Sequence, residues 1–326
     1  MRLQKILKNG SVQILIVLFF TPFAYSQQRA QFTQYLMNNY VLNPAAGGVN
    51  NYWDIKAGGR MQWTGLDGAP TTFWASANGA IGYPHERVRN SALKPHHGIG
   101  GYAFHDNTGP ITMNGVYGSY AYHLKVTSDI TASFGAFVGG VQYVLNGSNL
   151  VFVQNPIDPA IDNQKVTKFL PDATVGTWIY SSKFFIGASM NQIFGNKLNI
   201  GSVNLAQGKL NHHYFITGGY NIKLNPDLDF IPSTMLKYVL GAPLQFDINA
   251  KVKYKNFFWT GVSYRHQDAL AVFVRFLFNN NFEVGYAYDI TLSKLRQSSY
   301  GTHEIILGIH YPFSSKRIMC PNNFWD

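Results

Sequence analysis

The chain is poor in charge. Of its 326 residues only 13% are Asp, Glu, Lys or Arg, about half the share usual in a soluble domain. It holds one cysteine, Cys320, in a C-terminal tail, so no disulfide can form within the chain. Past the first 26 residues no apolar run approaches the roughly 18 residues of a membrane-spanning helix. Catalytic signatures are missing too: there is no Gly-x-Ser-x-Gly elbow, His-Glu-x-x-His or phosphate loop. His212-His213 falls on an expected strand, where adjacent side chains point to opposite faces and cannot share a metal; His96-His97 falls in an expected loop, which leaves that geometry open. The sequence therefore predicts a protein that is not an enzyme and has no metal or cofactor. Nor does the formal charge of +10 point to nucleic acid, since the basic residues are dispersed and three of them lie in the leader.

What is present is apolar and aromatic: 46% hydrophobic residues, 15% aromatic, with 31 glycines and 20 tyrosines. At the N-terminus Arg2, Lys5 and Lys8 precede an apolar stretch from Ile14 to Phe20 and an Ala24-Tyr25-Ser26 cleavage site. This is the pattern of a signal peptide over 1–26, too short in its apolar part to span a membrane. An exported chain, low in charge and without spanning helices, whose apolar residues alternate with polar ones, predicts an all-β fold: an outer-membrane barrel facing lipid.

The alternation is clearest from Pro243 to Lys255. Leu244, Phe246, Ile248, Ala250, Val252 and Tyr254 share one face, and Gln245, Asp247, Asn249, Lys251, Lys253 and Lys255 the other. Similar patterns predict about fourteen antiparallel strands, at 54–62, 70–82, 98–106, 110–124, 129–144, 172–181, 183–191, 211–223, 229–238, 243–255, 257–266, 268–278, 281–290 and 302–313. The barrel then spans 54–313, with a periplasmic tail over 314–326. With both barrel termini periplasmic, most inner turns are short, while the long connections 145–171, 192–210 and 291–301 fall outside, the asymmetry expected of such barrels. The exception is 83–97, a long inner turn whose Arg87, Arg89 and Lys94 suggest docking to a periplasmic component. Ahead of the strands, 27–53 is a candidate plug or periplasmic helix, with Phe32, Tyr35 and Leu36 at helical spacing.

On the last strands Asp247, Lys251, Lys253, Trp259, Arg265, Arg275, Glu283, Asp289 and Glu304 face the lumen. A turn centred on Asn256 sets Asp247 opposite Arg265 and Lys253 opposite Trp259; one centred on Gln267 sets Trp259 opposite Arg275. The expectation is an indole flanked by two cations beside a carboxylate–guanidinium pair, the polar filling of a closed lumen. Selection of an anionic or amphipathic solute by Lys251, Lys253 and Arg275 is the alternative.

Two N-terminal motifs go further. Gln31-Phe32-Thr33-Gln34-Tyr35 with Asn43-Pro44-Ala45 and Gly47, then Arg60-x-Gln62-Trp63-x-Gly65-x-x-Gly68-x-Pro70-x-Thr72, resemble the start of the PorP/SprF family of Bacteroidetes outer-membrane proteins. Ala121-Tyr122-His123-Leu124, Gly285-Tyr286-x-Tyr288-Asp289-Ile290, His303-Glu304 and Cys320-Pro321 extend the resemblance over nearly the whole mature chain. It implies a component of the type IX secretion and gliding machinery. Its partners would be a large surface adhesin or secreted cargo, bound through a C-terminal sorting domain, together with periplasmic components and outer-membrane lipid. By turn chemistry alone Gly65, Gly68 and Pro70 shape a hairpin loop and Trp63 anchors it at the interface, whereas Arg60 and Gln62 are expected in a lumenal or loop network.

Overall fold

Alternation of this kind buries one face of each strand only if the sheet curls shut. In the computed structural model, which describes residue 35 and residues 37–50, 52–81, 95–147, 165–199 and 207–312, it does. Seven strands follow in order: β1 (Tyr52–Met61), β2 (Thr71–Ile81), β3 (His96–Thr108), β4 (Ile111–Lys125), β5 (Thr131–Asn146), β6 (Lys165–Tyr180) and β7 (Phe184–Asn191). β8 (Lys197–Asn199) and β9 (Gln207–Lys209) form a separate small hairpin, after which β10 (His213–Tyr220) rejoins the wall beside β7. β11 (Ile222–Asn225) prolongs β10, and β12 (Leu228–Val239) pairs with both. β13 (Gln245–Tyr254), β14 (Phe258–Arg265), β15 (Ala269–Phe278), β16 (Phe282–Thr291) and β17 (Thr302–Pro312) complete the ring, which closes where Tyr52 meets Pro312 and Met61 meets His303. Without the β8–β9 hairpin and the β11 arm, this is a closed barrel of fourteen antiparallel strands.

Each expected strand has its counterpart. The registers follow the turns: Asp247 faces Arg265, Lys253 faces Trp259, and Trp259 faces Arg275. Apolar side chains line the outer wall, as with Ile248, Val262, Val284 and Leu307, all exposed on an isolated chain and suited to lipid. We call the end where β1 begins the near end, and the opposite one the far end. Near-end turns such as 255–257 and 279–281 are short. Asn256, Asn279 and Asn280 adopt positive φ in two of them, a conformation asparagine tolerates better than most residues.

Three expectations change. β5 and β6 reach Asn146 and Lys165 at their far ends, further than their hydrophobic alternation extends, because their last residues pair above the apolar belt. His96 and His97 open β3 instead of lying in a loop. They therefore point to opposite faces, and no metal can bridge them; His96 is buried and His97 exposed. Finally, the described stretch ahead of β1 contains two short 3-10 turns, Asn39–Val41 and Pro44–Ala46, where the expected amphipathic helix would run on to Asn43-Pro44; Phe32 and Leu36, which carry its spacing, lie outside the described residues. Its asparagines explain this, since their side chains bond to their own backbone and to the wall, in competition with a helical ladder. The expected signal peptide and tail, and Arg87, Arg89 and Lys94, lie outside the described residues.

Candidate functional site

The lumen is occupied. From Gly48 at the near end to Tyr35 at mid-height, the N-terminal segment climbs through it, satisfying its polar groups on inward-facing side chains around the ring. The His96 and His123 rings, stacked 4.3 Å apart, meet the carbonyls of Gly48 and Gly47 at 3.1 and 2.8 Å. Ser133 donates to the carbonyl of Ala45 (2.7 Å) and Ser189 to that of Leu42 (2.9 Å). The Asn43 amide donates to the backbone of Thr177 and Ala188, a pair of bonds that binds the segment to β6 and β7 at once. Higher up, Asn38 donates to Ser76, Tyr40 pairs with Ser119, Lys56 Nζ donates to the carbonyl of Met37 (2.6 Å), and Asn249 donates to the Tyr35 hydroxyl. Buried backbone without such partners would cost a few kcal/mol per group. Wall and segment are thus built for each other. Glycine makes the fit possible at Gly98, where an added Cβ would collide with the Gly47 carbonyl, and at Gly135, where it would lie 2.6 Å from the Ala45 nitrogen.

The other side of the lumen, along β1 and β12–β17, carries charge. In the far half Arg60 bridges Asp289 and Glu304, each at 2.9 Å, with all three side chains at most 2% exposed. Arg265 adds Asp268 at 2.9 Å and Asp289 at 3.6 Å, and Lys237 holds Asp247 at 2.9 Å. In the near half Arg275 pairs with Glu283 at 2.7 Å, and Lys56 with Asp54 at 3.1 Å, while His310 lies 3.1 Å from Glu283. Charges this deep hold only in such mutually compensating groups.

Every lumenal residue expected from the sequence is buried on the inner face: Asp247, Lys251, Lys253, Trp259, Arg265, Arg275, Glu283, Asp289 and Glu304. The details differ from expectation. Arg275 covers the Trp259 ring, its Cζ 4.5 Å from the centroid, but Lys253, although opposite the indole, extends its ammonium to 4.0 Å from Asp229. A carboxylate attracts a cation more strongly than a ring face does. Asp247 and Arg265 are only loosely paired, at 3.9 Å, because each has a closer partner in Lys237 and Asp268. Asp54, Lys56, Asp229, Lys237, Asp268 and His310 complete the network. Asp54 and Lys56 share the even numbering of Arg60 along β1, a signal available in the sequence.

Residues 60–72 knit the far rim together. Gln62 donates its backbone N–H to the Pro70 carbonyl across the β1–β2 loop. The Trp63 N–H reaches Thr302 Oγ1 at 3.1 Å, while the Thr64 backbone and the 300–301 backbone exchange two hydrogen bonds and the Thr64 hydroxyl adds a third to the Gly301 carbonyl, so this loop is stitched to the β16–β17 connection. Gly65 lies under the Tyr300 ring, where a Cβ would come to 2.6 Å; Gly68, at φ +71°, accepts from the Gly109 N–H of the β3–β4 turn. Thr72 donates to Asp106 on β3. The motif thus ties three far-end connections together and plants Arg60 in the ion-pair network.

The model of the type IX secretion system membrane protein PorP/SprF family matches residues 24–309. The chain belongs to this family. No curated protein matches it. Among solved structures, the Ralstonia pickettii toluene transporter TbuX is 13% identical, with a TM-score of 0.50 over 90% of this chain and 98% of that one. A Pseudomonas aeruginosa FadL homologue is 10% identical, with a TM-score of 0.46 over 83% and 93%. At such identities TbuX is similar in fold alone, that of an outer-membrane barrel. For this PorP/SprF chain, family and fold together place the protein in the outer membrane.

Proposed function

We propose that this PorP/SprF barrel is a noncatalytic docking component of type IX secretion, binding a large surface adhesin or a secreted cargo protein at its far rim and supporting that partner's secretion or retention at the cell surface. The observation that carries this reading is the pairing of a filled lumen with a rim whose loops are fastened to one another: residue 35 and residues 37–50 occupy the passage, while 62–70 and 292–301 form a joint surface. The expected recognition element on the partner is its C-terminal sorting domain, and 83–97, with Arg87, Arg89 and Lys94, is proposed to face periplasmic components of the machinery.

The test is affinity isolation of the tagged, full-length barrel from outer membranes. Recovery of a large surface protein, lost when the 292–301 connection is replaced by a short glycine turn, is the expected outcome; a barrel recovered alone sinks the proposal. Orientation is checked separately with a membrane-impermeant maleimide on intact cells in a Cys320→Ser background: Ser298→Cys should label and Asn280→Cys should not. The alternative, a channel for an anionic or amphipathic solute, is decided in planar bilayers, where an opening of porin size would favour it.

A further inference from the structure

On the outer wall of β2–β6 one row of residues departs from the lipid-facing pattern. Phe73, His105, Asn114, Gln142 and Phe169 are direct neighbours across the five strands. The three polar members are linked side chain to side chain: His105 Nδ1 lies 2.6 Å from Asn114 Oδ1, and the Asn114 amide donates to Gln142 Oε1 at 3.3 Å. The ring at each end is largely open, Phe73 at 50% and Phe169 at 68% exposure. Below the row, toward the near end, β4 presents Val116, Tyr120 and Leu124, all exposed and apolar.

The height of this row follows from strand geometry. Asn114 is ten residues above Leu124 on β4, roughly 33 Å along a strand and about 25 Å along the axis of a barrel whose strands tilt by about 40°. The apolar band of such barrels is itself about 25 Å tall. The ladder therefore sits where hydrocarbon gives way to lipid headgroups, and β3–β6, with 13, 15, 16 and 16 residues, are long enough to hold it there. β14, with 8 residues, has no outward polar row: its outward Val262 and Tyr264 are apolar or aromatic.

We propose that this ledge binds the sugar headgroup of an outer-leaflet glycolipid whose acyl chains lie on the wall beneath it. The occupant follows from continuity with the lipid-facing belt and from chemistry. The row has no lysine or arginine, so it is not made for phosphate. Amide and imidazole groups donate to and accept from hydroxyls, and the flanking rings offer flat apolar faces. The proposal rests on the far end facing outward, which the cysteine labelling above tests by itself.

The experiment reconstitutes the full-length barrel into phosphatidylethanolamine vesicles with and without a rough lipopolysaccharide, then measures glycolipid retained per barrel after detergent extraction by mass spectrometry. Asn114→Leu with Gln142→Leu should lower retention about tenfold relative to the unmodified protein, the loss of one or two hydrogen bonds, with the unfolding midpoint in phosphatidylethanolamine alone unchanged. Should the double variant not assemble, Gln142→Leu alone should lower it by roughly threefold. Retention equal to that of the unmodified protein overturns the proposal. So does retention that disappears on removing the lipid phosphates while the sugars remain, which would assign binding to the phosphates.

Discussion

Arg60 joins two parts of the chain that the sequence keeps far apart. Its guanidinium bridges Asp289 and Glu304, and it stands in β1 two residues before the loop that binds the far rim. Arg60→Ala takes a guanidinium away from two buried carboxylates, of which Asp289 keeps Arg265 at 3.6 Å, and should cost about 3–5 kcal/mol. The loss is read as a lower temperature for the folded-to-unfolded mobility shift on unheated gels; Arg60→Lys, which cannot fork between two acids, should fall in between. Thr302→Val removes the acceptor for the Trp63 N–H and should cost about 1 kcal/mol in the same assay. The opposition of Asp247 and Arg265 was legible because a tight turn fixes parity. That Asp247 prefers Lys237 was not, because the connection between β12 and β13 is looser and the choice among neighbours is made by side-chain reach.

Among the elements, the N-terminal segment gains most from the three-dimensional view. Its presence ahead of the strands was readable, yet its irregular path was not: the local Asn43 cap is joined by bonds to wall residues far away in sequence. Gly135→Val and Gly98→Val place branched side chains where the Ala45 and Gly47 backbone now lies. Both are expected to dislodge the segment while the wall still forms. Ion conductance in planar bilayers should then rise well above that of the unmodified barrel, and deletion of 27–50 should give a larger rise still. No change in either would remove the segment from its role as the closing element.

On the scale of the whole molecule, the barrel is uneven. Strand count and the contrast between short near turns and long far connections were legible, since hydrophobic alternation and turn residues are local. Strand length was not, since above the apolar belt a strand can turn polar on both faces and lose its period. One side therefore stands high at β5 and β6 while β7 and β10 have only 8 residues each. Cysteines placed outward at the far ends of β5 and β10 should report this difference in quenching by lipid-soluble agents: Val144→Cys should be reached weakly and Tyr214→Cys strongly.

The lumenal segment also bears on how the wall is made. It precedes β1 in the chain and is bonded to β1–β7 and β13, whereas the final seam joins β1 to β17, some 250 residues apart. Such distant pairing is slow to form. The segment thus lies in the cylinder as a mandrel does: the sheet is wrapped around a piece of its own chain, whose bonds to eight of the fourteen strands match the girth from within.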